Sequence, residues 1–171
     1  MYRYISYIWM SIALMLVQIF LLDNITIHMW LRPMIFPIIV LLLPMEWRTI
    51  WVLLIALVVG GTMDLSLGGA GLYLATLLPL AMFRSTILFV TTNRSVEVSD
   101  QTTLFSRMSI KQLMSYVGVA LLLHHAFFFI LESLSFATPF RLVATIIFSS
   151  LLSLAIAWPI VRIFIVKIID R

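Results

Sequence analysis

With 171 residues, 63% of them hydrophobic and 11% charged, and a mean hydropathy of +1.16, the chain falls outside the range of soluble globular domains and reads as an integral membrane protein. Apolar runs fill nearly the whole length, which gives one membrane domain over 1–171 and leaves no room for a soluble one. The absence of cysteine excludes disulfides, thiolate nucleophiles, iron–sulfur clusters and cysteine zinc sites, and the net charge of +4 is scattered over helix ends rather than gathered into a nucleic-acid-binding face.

Six spans are predicted, making an all-α, polytopic fold. The first covers about 4–22; it follows Arg3, lacks the small-residue pattern of a cleavage site, and is read as a retained helix carrying an intramembrane Gln18. The second, about 32–44, is short and holds Pro33, Pro37 and Pro44. Pro33 suits a first turn and Pro44 a stop, whereas Pro37 removes an interior hydrogen bond and predicts a kink.

The third span, about 48–66, places Asp64 in a glycine-studded run, VVGGTMDLSLGGAG. A carboxylate in hydrocarbon costs roughly 2.5 to 3.5 kcal/mol at a helix centre, so Asp64 must lie near an interface, be paired, or be neutral. Ala56, Gly60, Asp64 and Gly68 recur at four-residue spacing and would form a small-residue stripe against which another backbone packs closely. Asp64 then caps or pairs across a helix contact, or serves in transport or proton relay.

The fourth span covers about 70–90. Residues 91–111, TTNRSVEVSDQTTLFSRMSIK, form the one sizeable polar stretch, read as a cytoplasmic linker with a docking loop as the alternative. Ser109 and Gln112 have the form of a capping box opening the fifth span, about 112–132. In its segment LLLHHAFFFILE, His125, Phe128 and Glu132 share a face and His124 is turned about 100° away. One helix supplies at most two well-directed metal ligands, so polar residues bonded across helices are preferred to a metal site. Arg141 across the short loop is the expected ion partner of Glu132. Thr138-Pro139 marks the start of the sixth span, about 139–161, in which Thr145, Ser149, Ser153 and Ala157 line one face as a second packing seam.

A cytoplasmic N-terminus puts Arg3, Arg48, Arg84, Arg94, Arg107, Lys111, Arg162, Lys167 and Arg171 inside and only Arg32 and Arg141 outside, as the positive-inside rule requires. No nucleophile and base are found together in any hydrolase, metalloprotease, phosphate-loop or dinucleotide-binding pattern, so neither a catalytic residue nor a cofactor is expected.

VQIFLLDNI, the proline-bounded RPMIFPIIVLLLP, GGTMDLSLGGAGLYLATLLPLAMFR and SIKQLMSYVGVALLLHHAFFFILESLSF together resemble, in pattern and order, the rod shape-determining protein MreD family. The motif residues that carry over are Gln18, Gly60 or Gly61, Asp64, Gly71, Arg84, His124, His125 and Glu132. Tyr73 stands where many relatives have histidine. The resemblance implies a non-catalytic scaffold of the bacterial cytoplasmic membrane. Its implied partners are the single-span protein MreC and, through the elongation machinery, the MreB filament, the glycosyltransferase RodA and its transpeptidase partner. It also implies a fold similar to the six-helix solute-binding components of energy-coupling vitamin transporters, and a solute-binding component is the alternative function, with Asp64, His125 and Glu132 lining an outward pocket. For the scaffold, the Ala56–Gly60–Asp64–Gly68 stripe with Gly71, and the Thr145–Ala157 stripe, are expected to receive partner helices. Gln18, His124, His125 and Glu132 would fix register, and Arg84, Arg94, Arg107 and Lys111 would make cytoplasmic contact.

Overall fold

The computed structural model describes residues 2–24, 31–45, 47–92, 108–133 and 139–165. Their regular structure is helical: α1 (Tyr2–Leu16), continued by a π-helical stretch Val17–Leu22, then α2 (Pro37–Leu41), α3 (Thr49–Leu67), α4 (Leu72–Thr92), α5 (Ile110–Ser133) and α6 (Pro139–Phe164). Among them α3, α4, α5 and α6 are long and apolar enough to cross a membrane, as expected of a helical membrane protein. They pack as consecutive neighbours, α3 on α4, α4 on α5 and α5 on α6. Tyr7 of α1 closes against Phe164 of α6, ring centroids 5.1 Å apart.

The second predicted span is not a spanning helix. Thirteen residues of helix, at about 1.5 Å each, fall short of a hydrocarbon core about 30 Å thick. The chain instead runs irregularly from Leu31 to Phe36, makes only the five-residue α2, and leaves it at Leu42. Pro37 does not kink a helix; it opens one, at the first position, where its missing N–H costs nothing. Pro33 lies in the extended lead-in. This segment is the core of the molecule: Ile35, Phe36 and Ile38 to Leu42 have no exposed surface, and α1, α3, α4 and α5 all contact α2.

The other boundaries move by a few residues, α4 reaching Thr92 and α6 reaching Phe164. The capping box is present and reciprocal: the Gln112 N–H donates to Ser109 Oγ at 3.2 Å, and the Ser109 N–H donates to Gln112 Oε1 at 3.1 Å. The Thr138 cap and most of the 91–111 loop, with Arg94 and Arg107, lie outside the described residues.

Candidate functional site

Irregular backbone inside a membrane is tolerated only where protein satisfies its N–H and C=O groups, each of which costs several kcal/mol if left bare. The segment 31–45 therefore needs side-chain partners, and the spans supply them. From the π-helical stretch after α1, the Gln18 carboxamide makes two bonds: Nε2 donates to the Pro33 carbonyl at 3.2 Å and Oε1 accepts the Ile35 N–H at 2.8 Å. From α6, Ser149 Oγ accepts the Arg32 N–H at 3.3 Å and Ser153 Oγ accepts the Met34 N–H at 2.8 Å.

The far end of the segment is held by α4 and α5. Arg84 Nη1 donates to the carbonyls of Val40 and Leu43, at 3.3 and 3.1 Å, and Nη2 donates to that of Pro44 at 2.9 Å. A planar guanidinium with five donors suits a set of converging carbonyls that the end of a helix leaves free. The Tyr116 hydroxyl donates to the Leu41 carbonyl at 3.2 Å. Arg84 is thus buried, 4% exposed, and is not a cytoplasmic contact. Lys111 is exposed at the start of α5.

His125 extends this network. Its Nδ1 lies 2.8 Å from the Leu121 carbonyl and its Nε2 lies 3.1 Å from Ser153 Oγ. A carbonyl only accepts, so Nδ1 carries the proton; in the neutral ring Nε2 accepts the Ser153 hydroxyl, whose oxygen already takes the Met34 N–H. The geometry resembles a serine–histidine pair, but neither side chain has exposed surface to offer a substrate. His124 is turned the other way, edge-on to Phe36 at 5.2 Å and tilted against Phe128 at 6.5 Å. Although the Thr76 backbone is nearby, both its ring nitrogens are buried without a hydrogen-bond partner.

Asp64 has a separate task. Its Oδ1 accepts the Tyr73 N–H at 3.1 Å and its Oδ2 accepts the Leu74 N–H at 2.9 Å, so the carboxylate of α3 caps the first turn of α4. The tight connection makes this reach possible: Gly68 sits past the helix in the left-handed region, φ 69°, rather than on the α3 stripe, and Gly71 has φ 92°. Gly60 faces α4 so closely that an added Cβ would lie 2.8 Å from Leu74 Cα. The Ala56–Gly60–Asp64 stripe therefore receives the chain's own α4, and Ser149 and Ser153 receive its own residues 32–34; neither seam is an open groove for a second protein. Ala157 is fully buried and Thr145 half-buried.

Glu132 pairs with Arg32 Nη1 at 2.5 Å instead of taking the expected place beside Arg141, and Arg32 also sits 5.9 Å from the centre of the Phe128 ring. Asp64, His125 and Glu132 thus each bond to a different part of the chain, although Asp64 and Glu132, with Asp23 and Arg32, lie within electrostatic reach of the Tyr73 hydroxyl. No group of three or more metal-ligating side chains comes together among the described residues.

Sequence reasoning singled out Gln18, Asp64 and the histidines, but missed Tyr116 and read Ser149 and Ser153 as small rather than as hydrogen-bonding. The signal was available in the length of the second span: a run too short to cross, with three prolines, implies bare carbonyls and hence donors elsewhere in the spans. Comparison of the chain with family models, with curated proteins and with solved structures returns no match.

Proposed function

We propose that the protein is a non-catalytic scaffold of the bacterial elongation machinery, a polytopic component of the cytoplasmic membrane. It docks partner helices, MreC first, and through the wider assembly of MreB, RodA and its transpeptidase partner supports lateral peptidoglycan synthesis and cell shape. One observation supports this reading over a carrier or an enzyme: Gln18, Arg84, Tyr116, His125, Ser149 and Ser153 bond to the backbone of the chain itself and so build a rigid unit.

With both small-residue stripes filled internally, the docking face is the outer side of α6, where Val143, Ile147, Phe148 and Leu151 are exposed. Bulky apolar side chains there associate by van der Waals packing. Affinity purification of the full chain from bacterial membranes is expected to retain MreC, and the pair Phe148→Ala with Leu151→Ala to lower that recovery without changing the melting temperature. Recovery of the folded protein free of any component of the elongation machinery would reject the reading.

A second reading, a solute-binding membrane component, is favoured by His124 alone, whose two unpartnered ring nitrogens sit among Phe36, Phe128 and His125. It requires a small molecule that survives purification or raises the melting temperature, with the effect lost in His124→Phe.

A further inference from the structure

The ring of helices around α2 is open on one side. Beyond Leu16 the π-helical continuation of α1 comes against α3, but α1 itself is not among the neighbours that α3 packs against closely. The wedge between them is a groove of about 760 Å³. One wall is Ile8, Ile12 and Met15 of α1; the other is Trp51, Leu54 and Val58 of α3. Ile8, Ile12, Trp51, Leu54 and Val58 are all exposed, so the groove opens sideways into the surroundings of the helices.

Depth and chemistry identify the occupant. From Trp47 to Val59 the groove follows α3 for about 18 Å, close to one leaflet of a hydrocarbon core about 30 Å thick, and it closes where the chain after α1 meets α3. A partner's spanning helix would need a groove through both leaflets. Its walls are branched and aromatic rather than small, and Ser11 Oγ is already donated to the Tyr7 carbonyl at 2.8 Å. The open end carries Trp47 and Trp51, side chains that favour the headgroup level. Between them in sequence stands Arg48, exposed, its side chain without a hydrogen bond or ion pair among the described residues, at an α3 amino-terminus that no side chain caps.

We infer that the α1–α3 groove binds one phospholipid of the leaflet at the α3 amino-terminal end, an acyl chain lying between Ile12 and Val58 and an anionic phosphate headgroup resting on Arg48. The apolar walls provide for the chain and the free guanidinium for the charge, so the site selects anionic over zwitterionic lipid.

Native mass spectrometry of the full-length protein in mild detergent, titrated with phosphatidylglycerol and separately with phosphatidylcholine, tests this. One phosphatidylglycerol is expected to bind in preference to phosphatidylcholine, and Arg48→Gln to reduce that preference about fivefold, the effect of one basic side chain at an anionic surface. Val58→Trp fills the groove from α3 and Ile12→Trp fills it from α1; both positions are exposed, and each change is expected to displace the bound lipid with an unchanged melting curve. Equal binding of the two lipids that Arg48→Gln does not alter would overturn the inference. So would lipid binding that survives both tryptophan variants, or a second copy of the chain or another polypeptide found seated against Ile12 and Val58 by cross-linking.

Discussion

Residues 31–45 and the α3–α4 hairpin both place polar side chains within the spans, yet they use them to very different extents. The hairpin is built from two helices that, apart from the turn interrupted by Pro79, satisfy their own backbones, so one carboxylate at the connection is enough. The segment 31–45 is largely irregular, and it draws on a carboxamide, a guanidinium, a phenol and two serine hydroxyls from four other elements. Polar content in these two regions follows the regularity of the backbone it serves.

Breaking that contrast begins with Arg84. Arg84→Leu removes the Arg84 donors from the carbonyls of Val40, Leu43 and Pro44, of which Pro44 keeps the Trp47 N–H, and is expected to destabilise by roughly 4 kcal/mol, enough to prevent recovery of a monodisperse protein in size-exclusion chromatography. Arg84→Lys keeps the charge but not the fork, and should recover only part of the loss. Gln18→Leu removes one donor and one acceptor and is expected to cost about 2 to 3 kcal/mol, read as a lower melting temperature in detergent.

Within the hairpin the effects are smaller. Gly60→Ala forces the α3 and α4 backbones apart and is expected to cost about 1 to 3 kcal/mol, whereas Gly61→Ala, where an added Cβ meets nothing, should be neutral or slightly stabilising. Asp64→Ala removes a helix cap and is expected to cost about 1 kcal/mol, with Asn restoring part of it. Outside the hairpin, at the Arg32 end of the irregular segment, Glu132→Gln is the mildest: an exposed ion pair contributes under about 1 kcal/mol, and thermal melting should barely move. If the Gly60 and Asp64 changes proved more damaging than Arg84→Leu, the contrast between the two regions would be wrong.

The helical, membrane-spanning nature of the chain was legible in its composition, and four long spans lay within a few residues of where hydropathy put them. The capping box and the structural use of Asp64 were legible too, because both rest on contacts between residues no more than ten positions apart in sequence. What hydropathy concealed was α2. Its residues are as apolar as a span, and hydropathy does not distinguish a buried irregular segment from a crossing helix. That one error hid the inward role of Arg84, which reads from sequence as a charge closing the fourth span on the cytoplasmic side. It also turned two hydrogen-bonding serines into a small-residue seam. The pairing of Glu132 with Arg32 joins residues a hundred positions apart and has no local signature.

The partners of residues 31–45 also set an order of assembly. Ser149 and Ser153 reside on the last helix, so the N–H groups of Arg32 and Met34 acquire acceptors only after α6 has entered the bilayer. Until then those two N–H groups lack the serine oxygens that would satisfy them in hydrocarbon. Biogenesis of this protein is thus completed from its carboxyl-terminal side, with a piece synthesised early being the last to settle.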